Sequence, residues 1–344
     1  MDGKPHVKNL VRNVAVAAFA LLVVVGVPTR AAAQAEMAQW LSPEFGKAMG
    51  RADYRFTLFP DAHVENQPTD FGYEQQNVTL AVPLYQDPRN EWSATLRARY
   101  QDFSTRAVFA GSGQPFPEEL WDLRVGAAFR HKFDNDWIAG GSLTLGSASD
   151  EPFDSADDLL VLAIAFLRVP HRERNAWLFT VIYTNDQELV SGVPIPGIAY
   201  HWVPSATFNA VIGVPFSSIE WKPIAPLTFE ASYFPVRHVR ARATWRVARP
   251  LRAYAGFDWD SERYRLADRT DDDKRLFYYE KRLTGGVRFD LKHVGIELYG
   301  GYVFDRFYFQ GDGYSDRRKD RFDVEAGPFV GVRIGVRWWP GGGP

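Results

Sequence analysis

The chain has 344 residues, no cysteine and a formal net charge of −2. The near-neutral balance excludes bulk attraction to nucleic acid. The missing cysteines exclude a disulfide-stapled scaffold.

Residues 1–13 carry Lys4, Lys8 and Arg12, and residues 14–27 are almost wholly apolar. Ala33-Gln34-Ala35 supplies a small-x-small cleavage site. Residues 1–35 therefore read as a cleaved secretory signal, with the mature chain beginning at Glu36. The alternative, a transmembrane anchor helix, has too short a core and too cleavable a flank. Residues 36–50 are a periplasmic arm, a short helix or a plug, and composition does not choose among these. The longest later apolar run, 159–167, falls well short of the roughly 20 residues a membrane helix needs. A membrane crossing by the remainder must use strands.

The dominant pattern along the rest of the chain is a period of two. Val78, Leu80, Val82 and Leu84 oppose Asn77 and Thr79. Trp92, Ala94, Leu96, Ala98 and Tyr100 oppose Ser93, Thr95, Arg97, Arg99 and Gln101. Similar alternation begins at Trp121, Trp177, Val239, Leu251 and Val294. In the last segment, Phe322, Val324, Ala326, Val330, Val332, Ile334, Val336 and Trp338 share one face. Strand side chains alternate sides, so each segment has one greasy face and one wet one. A soluble sandwich alternates too.

The connections distinguish the two. Segments 87–90, 134–136, 169–174, 223–226, 249–250 and 290–293 are short. Between them lie longer polar segments: 60–74, 104–118, 148–157, 186–205, 264–274 and 309–320. Short periplasmic turns and long outer loops are the mark of a transmembrane antiparallel β-barrel. The connection 234–237 is a short exception. Reading 208–222 as one strand bulged at Pro215 gives about fourteen strands, within a range of about twelve to sixteen, and leaves both termini periplasmic. The barrel then covers 51–339, with 340–344 as a tail.

This topology puts Trp92, Trp137, Trp177, Trp221, Trp245 and Trp338 at periplasmic strand ends on the apolar face, as a membrane-interface belt requires. Tyr100, Tyr183, Tyr233 and Trp259 fall at the outer ends.

Two stretches carry a resemblance: Pro194-Ile195-Pro196-Gly197-Ile198-Ala199-Tyr200 and Gly213-Val214-Pro215-Phe216-Ser217-Ser218-Ile219-Glu220-Trp221. With the signal and the strands, the chain resembles a bacterial domain-of-unknown-function family classed as outer-membrane β-barrels. The resemblance implies fold and a Gram-negative outer-membrane location. It implies no activity and no site residues.

The wet face becomes the barrel interior. The expected pore-lining residues are Arg97, Arg99, Arg124, Arg240, Arg242, Arg246, Arg252, Asp258, Glu280, Arg282, Glu297 and Arg333. Arg240, Arg242, Arg246 and Arg252 form a basic stripe suited to anions. Asp305, Asp323 and Glu325 are expected to face inward as well. Inward Gly126, Gly286, Gly295, Gly301, Gly331 and Gly335 leave room for bulky neighbours. The acidic stretches Asp150, Glu151, Asp154, Asp157, Asp158 and Asp271 to Asp273 lack calcium-loop spacing, so no metal is expected. No cofactor and no catalytic signature is read: the histidines are scattered, and G-x-S-x-G is missing.

The leading expectation is a passive channel or uptake porin for small hydrophilic solutes, not an enzyme. The alternatives are a non-conducting structural or adhesive barrel, and an enzyme acting on lipid or glycan. Expected partners are outer-membrane lipid, the barrel-insertion machinery and small solutes, and no nucleic acid. The oligomeric state stays open.

Overall fold

The structure, a computed structural model, describes residues 42–185, 192–234, 238–267 and 274–339. The signal, the cleavage site, Asp271 to Asp273 and the tail lie outside the described residues. The strands β1 (Gly50–His63), β2 (Asp70–Gln86), β3 (Asn90–Thr105), β4 (Glu119–Lys132) and β5 (Ile138–Ser149) come first. Then follow β6 (Leu160–His171), β7 (Asn175–Thr184), β8 (Ile195–Ser205), β9 (Phe208–Val214), β10 (Ser217–Ile224) and β11 (Leu227–Phe234). β12 (His238–Arg246), β13 (Leu251–Tyr264), β14 (Arg275–Asp290), β15 (Val294–Gly311), β16 (Asp320–Val324) and β17 (Gly327–Trp338) complete the sheet. All neighbours are antiparallel, and β1 pairs with both β2 and β17. The ladder thus closes and leaves no edge. β16 and β17 both pair with β15 and share one wall position, so the barrel wall has sixteen strands.

The expected count of fourteen is corrected by two strands, for two linked reasons. The second half of the expected loop 186–205 is β8. Its outer face carries Ile198, Tyr200 and Trp202, and its inner face Ile195, Gly197, Ala199 and His201. With one polar residue, His201, among the two faces, no alternation shows. The segment 208–222 is not one bulged strand but the hairpin β9–β10. The chain reverses after Val214, where the Ser217 hydroxyl donates to the Gly213 carbonyl at 3.0 Å. The face switch beside Pro215 is that reversal. Adding two strands keeps the count even, so the other turns stay on their expected rim. Gly50 opposes Trp338, which puts both ends of the barrel at the rim of short turns.

The last segment also departs from simple alternation. The chain breaks between β16 and β17, and the pairings Tyr308 with Phe322 and Arg306 with Val324 turn Phe322 and Val324 inward. Val330 remains outward. Asp305 takes a left-handed φ of 51°, which shifts the faces of β15 by one residue. Asp305 consequently bonds Lys281 on the outside at 2.5 Å, and Asp323 lies opposite outward Phe307. Neither faces the lumen as expected.

The interior is filled at the loop rim. Phe59, Phe71, Tyr73, Phe103, Tyr264, Tyr278, Tyr308, Phe322 and Phe329 project from the strands into one buried cluster. The connection 106–118 folds into it with Ala107, Phe109 and Phe116. Phe71 lies 4.7 Å from Tyr308 and 5.2 Å from Phe116, ring to ring. The ends of β5 and β13, far apart in strand order, meet where the Arg265 amide donates to the Ala148 carbonyl at 2.8 Å.

Residues 42–49 lie inside the other rim. Arg130 donates to the Ser42 and Glu44 carbonyls at 2.8 and 2.6 Å and covers the Phe45 ring at 4.1 Å. Phe45 packs against a second cluster of Ile138, Phe166, Leu178, Ala199 and Val211. Within the described residues, the three readings of the arm narrow to an inserted extended segment.

Candidate functional site

The exterior is apolar from rim to rim. Leu96, Val125, Leu143, Phe179, Ile212, Leu283, Leu298 and Val330 all point outward and exposed. Trp92, Trp137, Trp177, Trp221 and Trp245 are between 40% and 47% exposed at the turn rim, and Trp338 ends β17 at the same rim. Trp202, on the strand that alternation did not reveal, joins them. A closed ladder satisfies every strand internally, so this surface suits hydrocarbon. The chain is an outer-membrane β-barrel. Leu143→Arg, mid-strand in β5 between Ala127 and Ala163, is expected to cost about 2–4 kcal/mol of folding stability in vesicles. Urea titration against the parent barrel measures it.

The interior carries a pattern that no single segment shows. Following cross-strand partners from β12 gives Arg246, Arg252, Arg288, Glu297, Arg333, Arg55, Asn77, Arg99 and Asp122 in one unbroken row. Strands in a barrel tilt against its axis, so such a row climbs the wall as a spiral. It starts beside the turn after β12 and ends under the aromatic cluster.

The first five arginines of the row border a cavity of about 350 Å³. Arg55, Lys222, Arg240, Arg242, Arg246, Arg252, Arg288 and Arg333 line it against only Glu220, Glu230 and Asp258. Several cations have local partners. Arg240 Nε donates to Asp258 at 2.5 Å, Arg252 to Asp290 at 2.9 Å and Arg333 to Asp53 at 2.6 Å. Lys222 pairs with Glu220. Glu297 is shared: Arg242, Arg333 and Arg288 lie 3.6, 3.8 and 3.9 Å from its oxygens, and Tyr254 donates to it at 2.5 Å. Among the described residues, Arg246 and Arg55 enter no ion pair. The walls are shaped by glycine: a methyl group at Gly286 would stand 2.7 Å from the Tyr254 ring.

The expected pore-lining residues separate into three groups. Arg240, Arg242, Arg246, Arg252, Asp258 and Arg333 line the cavity, with Glu297 buried just behind. Arg97 and Arg124 gather on buried Asp122 at 3.7 and 2.5 Å. Arg99 and Glu280 are buried, with Arg282 beside them, away from this cavity. Arg99 bonds Asn77, Glu262 and Tyr264, while Glu280 pairs with Arg282 and accepts from Tyr73 at 3.3 Å, all within the closed loop end. Charge on the wet face predicted solvation, but the aromatic neighbours on the same strands bury these groups. Arg55 and Asp53 were missed although β1 alternates, with Ala52, Tyr54, Phe56 and Leu58 set against Arg51, Asp53, Arg55 and Thr57.

In the acidic loop before β6, two carboxylates turn to the backbone. Asp150 accepts from the Ala267 amide at 2.9 Å and Asp158 from the Ser155 amide at 3.1 Å. Among the described residues, no three metal-ligating side chains converge.

No family model matches the chain, and no curated protein matches it. The family resemblance is thus left at the level of outer-membrane barrels. Among solved structures, an outer membrane channel from Pseudomonas putida F1 is 11% identical, with 84% of this chain and 94% of that chain covered and a TM-score of 0.35. A TodX monoaromatic hydrocarbon channel is 8% identical, with 87% and 90% covered and a TM-score of 0.42. The β domain of the Bordetella autotransporter BrkA is 11% identical, with 84% and 99% covered and a TM-score of 0.31.

Proposed function

We propose that this barrel is a passive outer-membrane channel for small hydrophilic solutes and that it favours anions. The arginine row along the cavity carries this reading. Eight lining cations face three lining carboxylates. With their partners Asp53, Asp290 and Glu297 behind the wall, the remaining excess of two gives the space a positive field that low-dielectric walls focus. Solute moves down its gradient, handed between neighbouring guanidinium groups. In this orientation the turn rim and both barrel ends face the periplasm, the lipid is that of the outer membrane, and folding into it uses the barrel-insertion machinery. The reading assigns no catalysis.

A second reading has its own support. The aromatic cluster closes the loop end and residues 42–49 occupy the other, which suits a non-conducting structural barrel.

Single-channel recording of the refolded barrel in a planar bilayer, under a salt gradient, decides between them. Steady ohmic openings with anion preference are expected. Arg246→Glu plus Arg252→Glu is expected to abolish or reverse that preference while the barrel stays folded. A heat-modifiable, folded barrel that never conducts would establish the structural reading instead.

A further inference from the structure

Residues 42–49 lie inside the turn rim but outside the ladder, whose pairing begins at Gly50. Side chains of the wall hold them. The Gly46 amide donates to Glu91 at 2.8 Å, the Ala48 amide donates to Gln86 at 2.9 Å, and Gln86 donates back to the Ala48 carbonyl at 3.1 Å. With the two Arg130 bonds, these fasten the segment to β2, β3 and β4. Half-buried Phe45 anchors it on an apolar patch to which β5, β6, β7, β8 and β9 each contribute one residue. This attachment can be undone at low cost. Glu91 and Arg130 are buried and bond each other at 2.6 Å, so release of the segment leaves neither charge unpaired. Pro43, Glu44, Gly46 and Lys47 are exposed. Few buried apolar contacts, and hydrogen bonds that water can replace, mark a segment that opens locally.

The segment covers one side of the mouth and leaves the other. Its contacts run from β2 to β9, whereas the arginine cavity is lined by β10 to β14 with β1 and β17. At the loop end, among the described residues, the aromatic cluster draws on no strand from β6 to β12. A solute entering on that side meets the arginine cavity on one flank and the segment on the other. We propose that residues 42–49 are a releasable strap that gates the turn-rim mouth. Seated, the strap leaves the arginine cavity as the exit. Released, it opens the β5–β9 side as well. The described inner faces of β6 to β9 carry one arginine, Arg168, and no carboxylate, so the opened side adds width and little charge. The inference rests on reading the arginine cavity as an anion channel and adds its regulation.

The test is single-channel recording of the refolded mature barrel under a salt gradient, on the parent and three variants. Gly46→Pro removes the amide that bonds Glu91 and forbids the seated φ of 73°, which glycine adopts freely. Phe45→Ser removes the anchor. Neither change touches the ladder, so both barrels are expected to stay folded and heat-modifiable. Ala48→Cys plus Gln86→Cys supplies the only thiols in the chain, and a short cleavable bismaleimide across them pins the strap. The parent is expected to switch between a small, anion-preferring level and a several-fold larger level with weaker preference. Gly46→Pro and Phe45→Ser are expected to hold the large level. The bridged pair is expected to hold the small level until the bridge is cleaved. Parent current and parent selectivity in all three variants overturn the strap and spare the anion channel. A large level that keeps the full anion preference overturns the assignment of the opened side. Silence in the parent and in every variant overturns the channel reading, and the gate with it.

Discussion

Replacing residues 107–116 with a short glycine-serine linker is expected to raise single-channel conductance several-fold. Those residues hold Ala107, Phe109 and Phe116, each at most 5% exposed, inside the loop end of the barrel. The segment is fastened there at several points. The amides of Gly111 and Ser112 donate to Asp320 at 2.7 and 3.0 Å. Gln67 and Val108 exchange two hydrogen bonds at 2.8 and 2.9 Å. The Phe109 ring lies 5.4 Å from that of Phe322. Removing the segment leaves the wall strands paired but takes two aromatic rings out of the cluster. The loss of each buried Phe is expected to cost about 3–5 kcal/mol of stability, so the variant should unfold at lower urea. Phe116→Ala keeps the backbone and separates the two effects: it should lose stability while conductance rises less. Unchanged conductance in the linker variant would mean that the conducting path does not pass this segment.

Much of the wall was legible in the sequence because one of its faces meets lipid and the other meets charge. β3, β4, β7, β12, β13 and β17 alternate clearly for that reason, and Trp92, Trp177, Trp245 and Trp338 among them mark the turn rim. β8 escaped because, His201 apart, both of its paired faces are apolar or small. β9 and β10 were joined because a proline beside a face switch reads the same for a bulge as for a tight hairpin. Which connections fold inward was not legible at all. Phe109 and Phe116 sit among glycine, proline and polar residues, and only tertiary packing distinguishes them from surface loop residues. The arginine row was hidden for a further reason. Arg246, Arg333 and Arg55 are distant in the chain, and only the register of β12 to β15, β17 and β1 aligns them. The basic stripe was visible within β12 and β13; its continuation around the wall was not.

Glu297→Ala is expected to destabilise the barrel by about 3–5 kcal/mol, the cost of leaving buried charges without their partner. Glu297 is 2% exposed and lies between three strands of arginine. Arg242, Arg333 and Arg288 approach it within 3.9 Å, while Arg242 also covers the Tyr254 ring at 3.7 Å. Removing the carboxylate leaves the Tyr254 hydroxyl without its acceptor and brings the guanidinium groups into mutual repulsion. Glu297→Gln keeps an acceptor for Tyr254 and loses only the charge, so it should fall between the parent and the alanine variant. The same substitutions act oppositely on selectivity. A row with one carboxylate fewer is more positive, and anion preference in a salt gradient should increase in both variants. Unfolding in urea and reversal potential, measured on the same preparation, therefore move in opposite directions if Glu297 balances the row. A stability within about 0.5 kcal/mol of the parent would instead mean that water and mobile anions already solvate these arginines, and that the row is held by the ladder alone.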